Sequence, residues 1–159
     1  LLRRSKSRRG WLLPVPGGVL GPADLLSPVA DAREPAELEL GGERVTLAAE
    51  PAVRERGLAF LARERLGIAA LTELAPWPAA RRAAPDASGD CLVIGDPARA
   101  PKAVSASRLV PTEDGWRIEN DFDATWHGAA VVGRETGDLL GILLVDDGPR
   151  RIARPPDVW

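Results

Sequence analysis

The stretch Glu37-Leu-Glu-Leu-Gly-Gly-Glu-Arg-Val-Thr-Leu47 alternates apolar and polar residues on both sides of a glycine pair. Alternation with a period of two is typical of a strand with one buried face, and two glycines supply the positive φ of a tight turn. Pairing across Gly41-Gly42 places Leu38 opposite Val45 on one face. The stretch therefore predicts an antiparallel hairpin.

Short apolar runs separated by Gly-, Pro- and Asp-rich turns continue on both sides of this hairpin. They predict strands at residues 11–15, 91–94, 103–110, 116–118, 129–132 and 139–145. The 16 glycines and 15 prolines among 159 residues disfavour a helical bundle. Many short strands joined by tight turns instead predict an all-β fold of antiparallel barrels or sandwiches. Residues 52–71 do not fit this all-β prediction, because they are rich in Ala, Leu, Arg and Glu and have the propensity of a helix.

The composition limits the chemistry that the chain can perform. His127 is the only histidine and Cys91 the only cysteine, which excludes an intramolecular disulfide and any CxxC motif. Cys91 begins an apolar strand and is expected to be a buried thiol. A net charge of −2 gives no reason to expect nucleic-acid binding, and no cofactor is expected. The longest aliphatic run, 139–145, is too short to span a bilayer, so membrane association is expected only through a segment upstream of the given chain.

Several segments follow one another in the order and spacing of a known family. They are 18–26 (GVLGPADLL), 57–61 (GLAFL), 91–97 (CLVIGDP), 103–110 (AVSASRLV), 123–132 (DATWHGAAVV) and 137–144 (GDLLGILL). Together they resemble the trypsin-like serine proteases, in the compact bacterial form of the HtrA/Deg family. The resemblance implies two antiparallel β-barrels of trypsin-like architecture, one over residues 1–75 and one over 87–159. A Pro/Ala-rich linker at 76–86 would join them, with a cleft between them.

The same resemblance assigns positions to the catalytic triad. The histidine position is Asp24, the aspartate position is Gly57, and the serine position is His127; Thr125 stands where an oxyanion-binding glycine is usual. Acyl transfer in this fold needs the serine oxygen, the histidine and the carboxylate together. Because all three are replaced, the sequence predicts a pseudoenzyme with no catalytic residue, in which Asp24, Gly57 and His127 are vestigial positions.

The favoured function is therefore a catalytically inactive protein-binding or scaffolding module in a larger assembly. The family resemblance alone favours a periplasmic or cell-envelope location and a protein partner, either as a homo-oligomer or in a larger complex. Trp126 and Trp159 are candidate partner-binding residues, since Trp is frequent at binding hot spots, although core packing is the more common role.

Two alternative functions stay open. The first is a degenerate serine peptidase with residual hydrolase activity. The second is a metal- or pH-responsive regulatory domain that uses Asp24 and His127, which we expect to face each other across the cleft. As metal ligands the two residues are weak candidates, and no metal site is predicted, because two protein ligands leave an open site.

Overall fold

The secondary structure consists almost entirely of strands in the part of the chain that the structure describes. This computed structural model describes residues 10–15, 17–25, 36–40, 43–47, 53–55, 57–62, 89–95, 104–112, 115–145 and 150–153. The strands are β1 (Leu13–Val15), β2 (Gly18–Pro22), β3 (Ala36–Leu40), β4 (Glu43–Leu47), β5 (Val53–Glu55), β6 (Leu58–Ala62), β7 (Gly89–Ile94), β8 (Val104–Thr112), β9 (Gly115–Ile118), β10 (Ala130–Gly133), β11 (Leu139–Leu144) and β12 (Arg151–Ala153). Residues 23–25 are helical, and a 3₁₀ turn spans Ala124–Trp126. The all-β class predicted from the sequence is confirmed.

The C-terminal half closes into a barrel. Its strand order is β10-β11-β12-β9-β8-β7, with β7 pairing back to β10, and all neighbouring pairs are antiparallel. Along β7 the side chains of Cys91 and Val93 are fully buried, whereas Leu92 and Ile94 between and after them are half-buried. Every second side chain of β7 therefore points into the barrel, as the geometry of a strand requires.

The N-terminal half contains a four-stranded antiparallel sheet in the order β1-β2-β6-β5 and the separate hairpin β3-β4. The hairpin pairs Leu38 with Val45, as the glycine turn predicted. Within the described residues, barrel closure is seen in the C-terminal half, and the strands expected for the first barrel form these two sheets. The organisation of these described residues is antiparallel and all-β, with one closed barrel and two further sheets. The expected linker at 76–86 lies outside the described residues.

The helix-prone stretch at 52–71 contains strands. β5 and β6 pair across a turn at Gly57, whose φ is +79°. Leu58 and Ala59 are fully buried and Leu61 is 3% exposed, which places the apolar residues of β6 against the core. Tertiary burial thus overrides the local helix propensity.

A hydrophobic cluster joins the two halves. It contains buried residues of the N-terminal sheet and of the barrel: Leu13, Val15, Leu20, Leu58, Ala130, Val132, Leu139 and Ile142. A second cluster fills the barrel with Cys91, Val93, Leu109, Ile118, Phe122, Ala129, Val131, Leu143 and Ile152. Because the first cluster draws on both sheets, the halves share one continuous core.

Candidate functional site

Three segments meet between the N-terminal sheet and the barrel. Asp24 follows β2 in the helical residues 23–25, Gly57 forms the turn before β6, and His127 follows the 3₁₀ turn. His127 Nε2 lies 2.8 Å from Asp24 Oδ1. The Ala23 amide donates to the Gly57 carbonyl oxygen over 2.8 Å. The structure thus brings together all three positions that the resemblance matched to a triad, and Asp24 faces His127.

The ring of His127 is held in one tautomer. The residue is 9% exposed, and its Nδ1 lies 3.0 Å from the Val145 amide nitrogen. A backbone N–H can only donate, so Nδ1 must offer its lone pair, and a neutral ring then carries its proton on Nε2. That proton is donated to Asp24, whose side chain is 46% exposed. The buried imidazole therefore has a partner at each nitrogen.

Gly57, at the matched aspartate position, has a backbone conformation that favours glycine. Its φ of +79° lies in the left-handed region, which side-chain-bearing residues rarely adopt. The residue is exposed, and a Cβ atom built there would lie 3.1 Å from one side-chain atom, Leu144 Cδ1. The backbone conformation, rather than close packing, is therefore what favours glycine at this position.

The backbone amides beside His127 are occupied by acceptors of their own loop, residues 123–129. The Thr125 amide donates to Asp123 Oδ1 over 2.8 Å, and the Thr125 hydroxyl also contacts this oxygen. The His127 amide donates to the Ala124 carbonyl oxygen over 3.3 Å. By the resemblance, these two amides are the ones that would hold an oxyanion. In the 3₁₀ turn they point at acceptors of the chain instead.

Trp11 also holds the 123–129 loop in place, through two hydrogen bonds. The Trp11 amide donates to the His127 carbonyl oxygen, and the indole Nε1–H donates to the Thr125 carbonyl oxygen, each over 2.8 Å. Gly128 has a φ of +90°, and a Cβ there would lie 2.1 Å from the Trp11 carbonyl oxygen. Sequence reasoning placed Trp11 at the start of a strand and missed this role. The glycine after His127 was the one available signal of a close backbone approach.

Trp126 contributes to packing of the second cluster. It is half-buried, and its ring meets that of Phe122 edge to face with centroids 5.2 Å apart. A Cβ on Gly95 would lie 3.0 Å from the indole. These contacts favour the core-packing alternative over a partner-binding role for Trp126. Trp159 lies outside the described residues.

Cys91 has the environment of a structural thiol. It is fully buried in the barrel. Burial and, to a smaller extent, the negative charge of Asp90 together raise the pKa of the Cys91 thiol from 9.0 to about 11. A neutral, enclosed thiol does not act as a nucleophile.

The site does not suit a metal ion in its present tautomer. Among the described residues no three or more His, Cys, Asp or Glu side chains form a group that could hold one. Metal coordination by His127 Nε2 needs its lone pair, but the Val145 amide at Nδ1 keeps the proton on Nε2. The Asp123 carboxylate, the nearest further candidate along the chain, caps the 3₁₀ turn.

No protein-family model and no curated protein matches the chain. Among solved structures, the crystal structure of Rv3671c protease in its inactive form is similar at 17% identity and a TM-score of 0.48. The match covers 87% of this chain and 73% of that one.

Proposed function

We propose that the chain is a catalytically inactive, trypsin-like domain that serves as a protein-binding or scaffolding module. The observation that carries the proposal is the convergence of Asp24, Gly57 and His127 at one place. These three residues occupy the matched triad positions, and none of them has the hydroxyl group that a serine-type reaction uses as its nucleophile. The imidazole that is present donates to a carboxylate and accepts from a backbone amide, so neither nitrogen is available to take a proton from a hydroxyl.

The hydrogen bonds of the backbone amides in the 123–129 loop support the same proposal. A serine-type reaction develops negative charge on an oxygen, which two converging N–H groups must stabilise. The amides of Thr125 and His127 are already bonded inside the 123–129 loop, and Trp11 holds the carbonyl side of this loop. Freeing the amides would require the 3₁₀ turn to unwind and those bonds to break. Both the side chains and the main chain therefore argue against acyl transfer.

The alternative of a degenerate serine peptidase predicts a different result with an unstructured substrate. We expect the purified chain to leave unfolded casein intact over the period in which an active protease degrades it. A serine-directed phosphonate reagent should leave the mass of the chain unchanged. Cleavage that the reagent abolishes, together with a covalent adduct on the chain, would favour the peptidase.

A matched variant separates activity of the chain from contamination. His127→Ala removes the only imidazole, so any hydrolysis that depends on this chain's histidine is lost in the variant. Hydrolysis that is equal in both preparations comes from another protein. Casein hydrolysis by the wild type that His127→Ala removes would overturn the proposal.

The scaffolding part of the proposal rests on the retained fold and on the family resemblance. The resemblance also favours a periplasmic or cell-envelope setting and a homo-oligomer or larger complex. No helix in the described part of the chain is long and apolar enough to cross a membrane. In the same preparation, light scattering compares the solution mass with the 16.9 kDa of one chain. A higher mass supports self-association, and a monomer leaves a different protein as the partner of the proposed module.

A further inference from the structure

His127 joins three parts of the molecule through one buried ring. Its Nε2 contacts Asp24 of the N-terminal half over 2.8 Å. Its Nδ1 accepts from the Val145 amide at the end of β11 over 3.0 Å. Its backbone carbonyl accepts from Trp11. A change in the charge of this ring therefore acts on the N-terminal half and on the end of β11 simultaneously.

The two side-chain contacts respond to protonation in opposite directions. An imidazolium carries a proton on both nitrogens, so Nδ1 can no longer accept from the Val145 amide, and two donors would face each other. The hydrogen bond to the Asp24 carboxylate becomes stronger, because a hydrogen bond between an imidazolium and a carboxylate is charge-assisted. We propose that His127 is an acid-sensitive switch. Its protonation breaks the hydrogen bond between the Val145 amide and Nδ1, while the hydrogen bond between Nε2 and Asp24 is kept.

In the described part of the chain, one ionisable side chain bonds to the ring. The described segments with hydrogen bonds to residue 127 from outside its own loop are 10–12, 23–25 and 143–145, and Asp24 is the ionisable residue among them. Within the loop of His127 itself, Asp123 bonds to Thr125. Among these segments, the charge that faces the ring is therefore that of Asp24.

This switch is a means of regulation at the candidate site. It rests on the proposed function, since a ring with hydrogen-bond partners at both nitrogens performs no catalysis. As the medium becomes acidic, the C-terminal end of β11 loses an anchor while the two halves stay paired. The expected response is local, at Val145, and leaves the shared core folded. Acid would therefore change the surface offered beside the loop without separating the halves.

The single histidine makes the inference directly measurable by NMR on the full chain. Ring ¹⁵N shifts report the tautomer and the titration of His127, because no other imidazole is present. Exchange protection of the Val145 amide, corrected for the intrinsic effect of pH, reports the bond to Nδ1. The Leu143 amide is the control, since its hydrogen bond goes to the Ala129 carbonyl oxygen instead of to the ring. We expect the Nε2–H tautomer in the neutral ring, and loss of protection at Val145 but not at Leu143 as the ring titrates.

Two variants test the coupling. Asp24→Asn removes the charge but keeps an acceptor oxygen, so the midpoints of the ring titration and of Val145 release should move together to lower pH. His127→Asn places an amide oxygen near the position of Nδ1, and protection of Val145 should then become independent of pH.

The inference fails if Val145 stays protected through the ring titration, if the two midpoints separate in Asp24→Asn, or if the ring stays neutral until acid unfolds the protein. The Nδ1–H tautomer in the neutral ring would also overturn it. Casein hydrolysis by the wild type would reject the proposed function but would leave the midpoints unchanged, so the two failures are distinguishable.

Discussion

Both nitrogens of the buried His127 ring have hydrogen-bond partners, which makes the burial of a polar side chain tolerable at this site. A buried donor or acceptor left without a partner costs about 1–3 kcal/mol of stability. Asp24 and the Val145 amide therefore satisfy both ring nitrogens and hold the ring in place. Their joint effect is to make an imidazole at the matched serine position compatible with close packing.

Cys91 makes stability depend on pH in the alkaline range. Its thiol has a pKa of about 11 in the fold against 9.0 for an unperturbed thiol, because burial disfavours the thiolate. The stability that it contributes is fully present below pH 9 and is lost as the pH rises towards 11, since the unfolded chain releases the proton first. We expect denaturant titrations to give a lower free energy of unfolding at pH 10 than at pH 8.

The composition makes this effect easy to isolate. The chain has no Tyr, and Lys6 and Lys102 are its only lysines, so few other side chains titrate in this range. In Cys91→Ala, the free energy of unfolding should fall less between pH 8 and pH 10 than in the wild type. Any loss of stability from the smaller side chain should be the same at both pH values and does not affect this comparison. An equal fall in the variant would assign the pH dependence to another group.

At the scale of elements, the 123–129 loop is shaped by the neighbouring segment 10–12. The contact depends on Gly128, which has a φ of +90° and approaches the Trp11 carbonyl oxygen closely. Gly128→Ala should cost about 1–2 kcal/mol for the left-handed backbone. The clash with the Trp11 backbone should add roughly 1–3 kcal/mol of overpacking. Chemical denaturation measures the total.

Gly89→Ala is the matched control for this contact. Gly89 also has a positive φ, +116°, but no atom lies within 4 Å of the position of its Cβ. Its substitution should show the backbone cost of about 1–2 kcal/mol alone. A loss in Gly128→Ala no larger than the loss in Gly89→Ala would show that the approach of Trp11 does not constrain the loop.

Sequence patterns predicted the elements whose side chains alternate and the turns that need glycine. The hairpin register of Leu38 with Val45 is an example. The approach of Asp24 to His127 was instead expected from the family resemblance. The pattern did not predict β5, which is three residues long, or the bond from Val145 to the ring. A short strand has too few residues to show a period, and a backbone donor is the same in every residue type. Contacts made by the main chain therefore had to come from the structure.

At the scale of the whole molecule, the shared core makes the two halves unfold together. Leu20 of the N-terminal sheet and Ile142 of the barrel are both fully buried in the same cluster. Leu20→Ala and Ile142→Ala should each lower stability by about 2–5 kcal/mol through a lost contact and a cavity. Each should shift one transition, seen at the same midpoint by circular dichroism and by Trp fluorescence.

Val104→Ala is the control for these two substitutions. Val104 is 48% exposed, so its truncation should change stability by no more than about 0.5 kcal/mol. Two separate transitions, with each core substitution moving only one of them, would show that the halves are independent in stability despite their common cluster.

The bonded amides of Thr125 and His127 bear on how such a chain can change over evolutionary time. Placing Ser at 127, His at 24 and Asp at 57 would restore the side chains of a triad, but the 3₁₀ turn would still hold both amides. Freeing those amides would also require changes at the Asp123 cap and the Trp11 contact. Exchange of three side chains would therefore leave the main chain of this loop as it is, so the side chains and the loop backbone would have to change together.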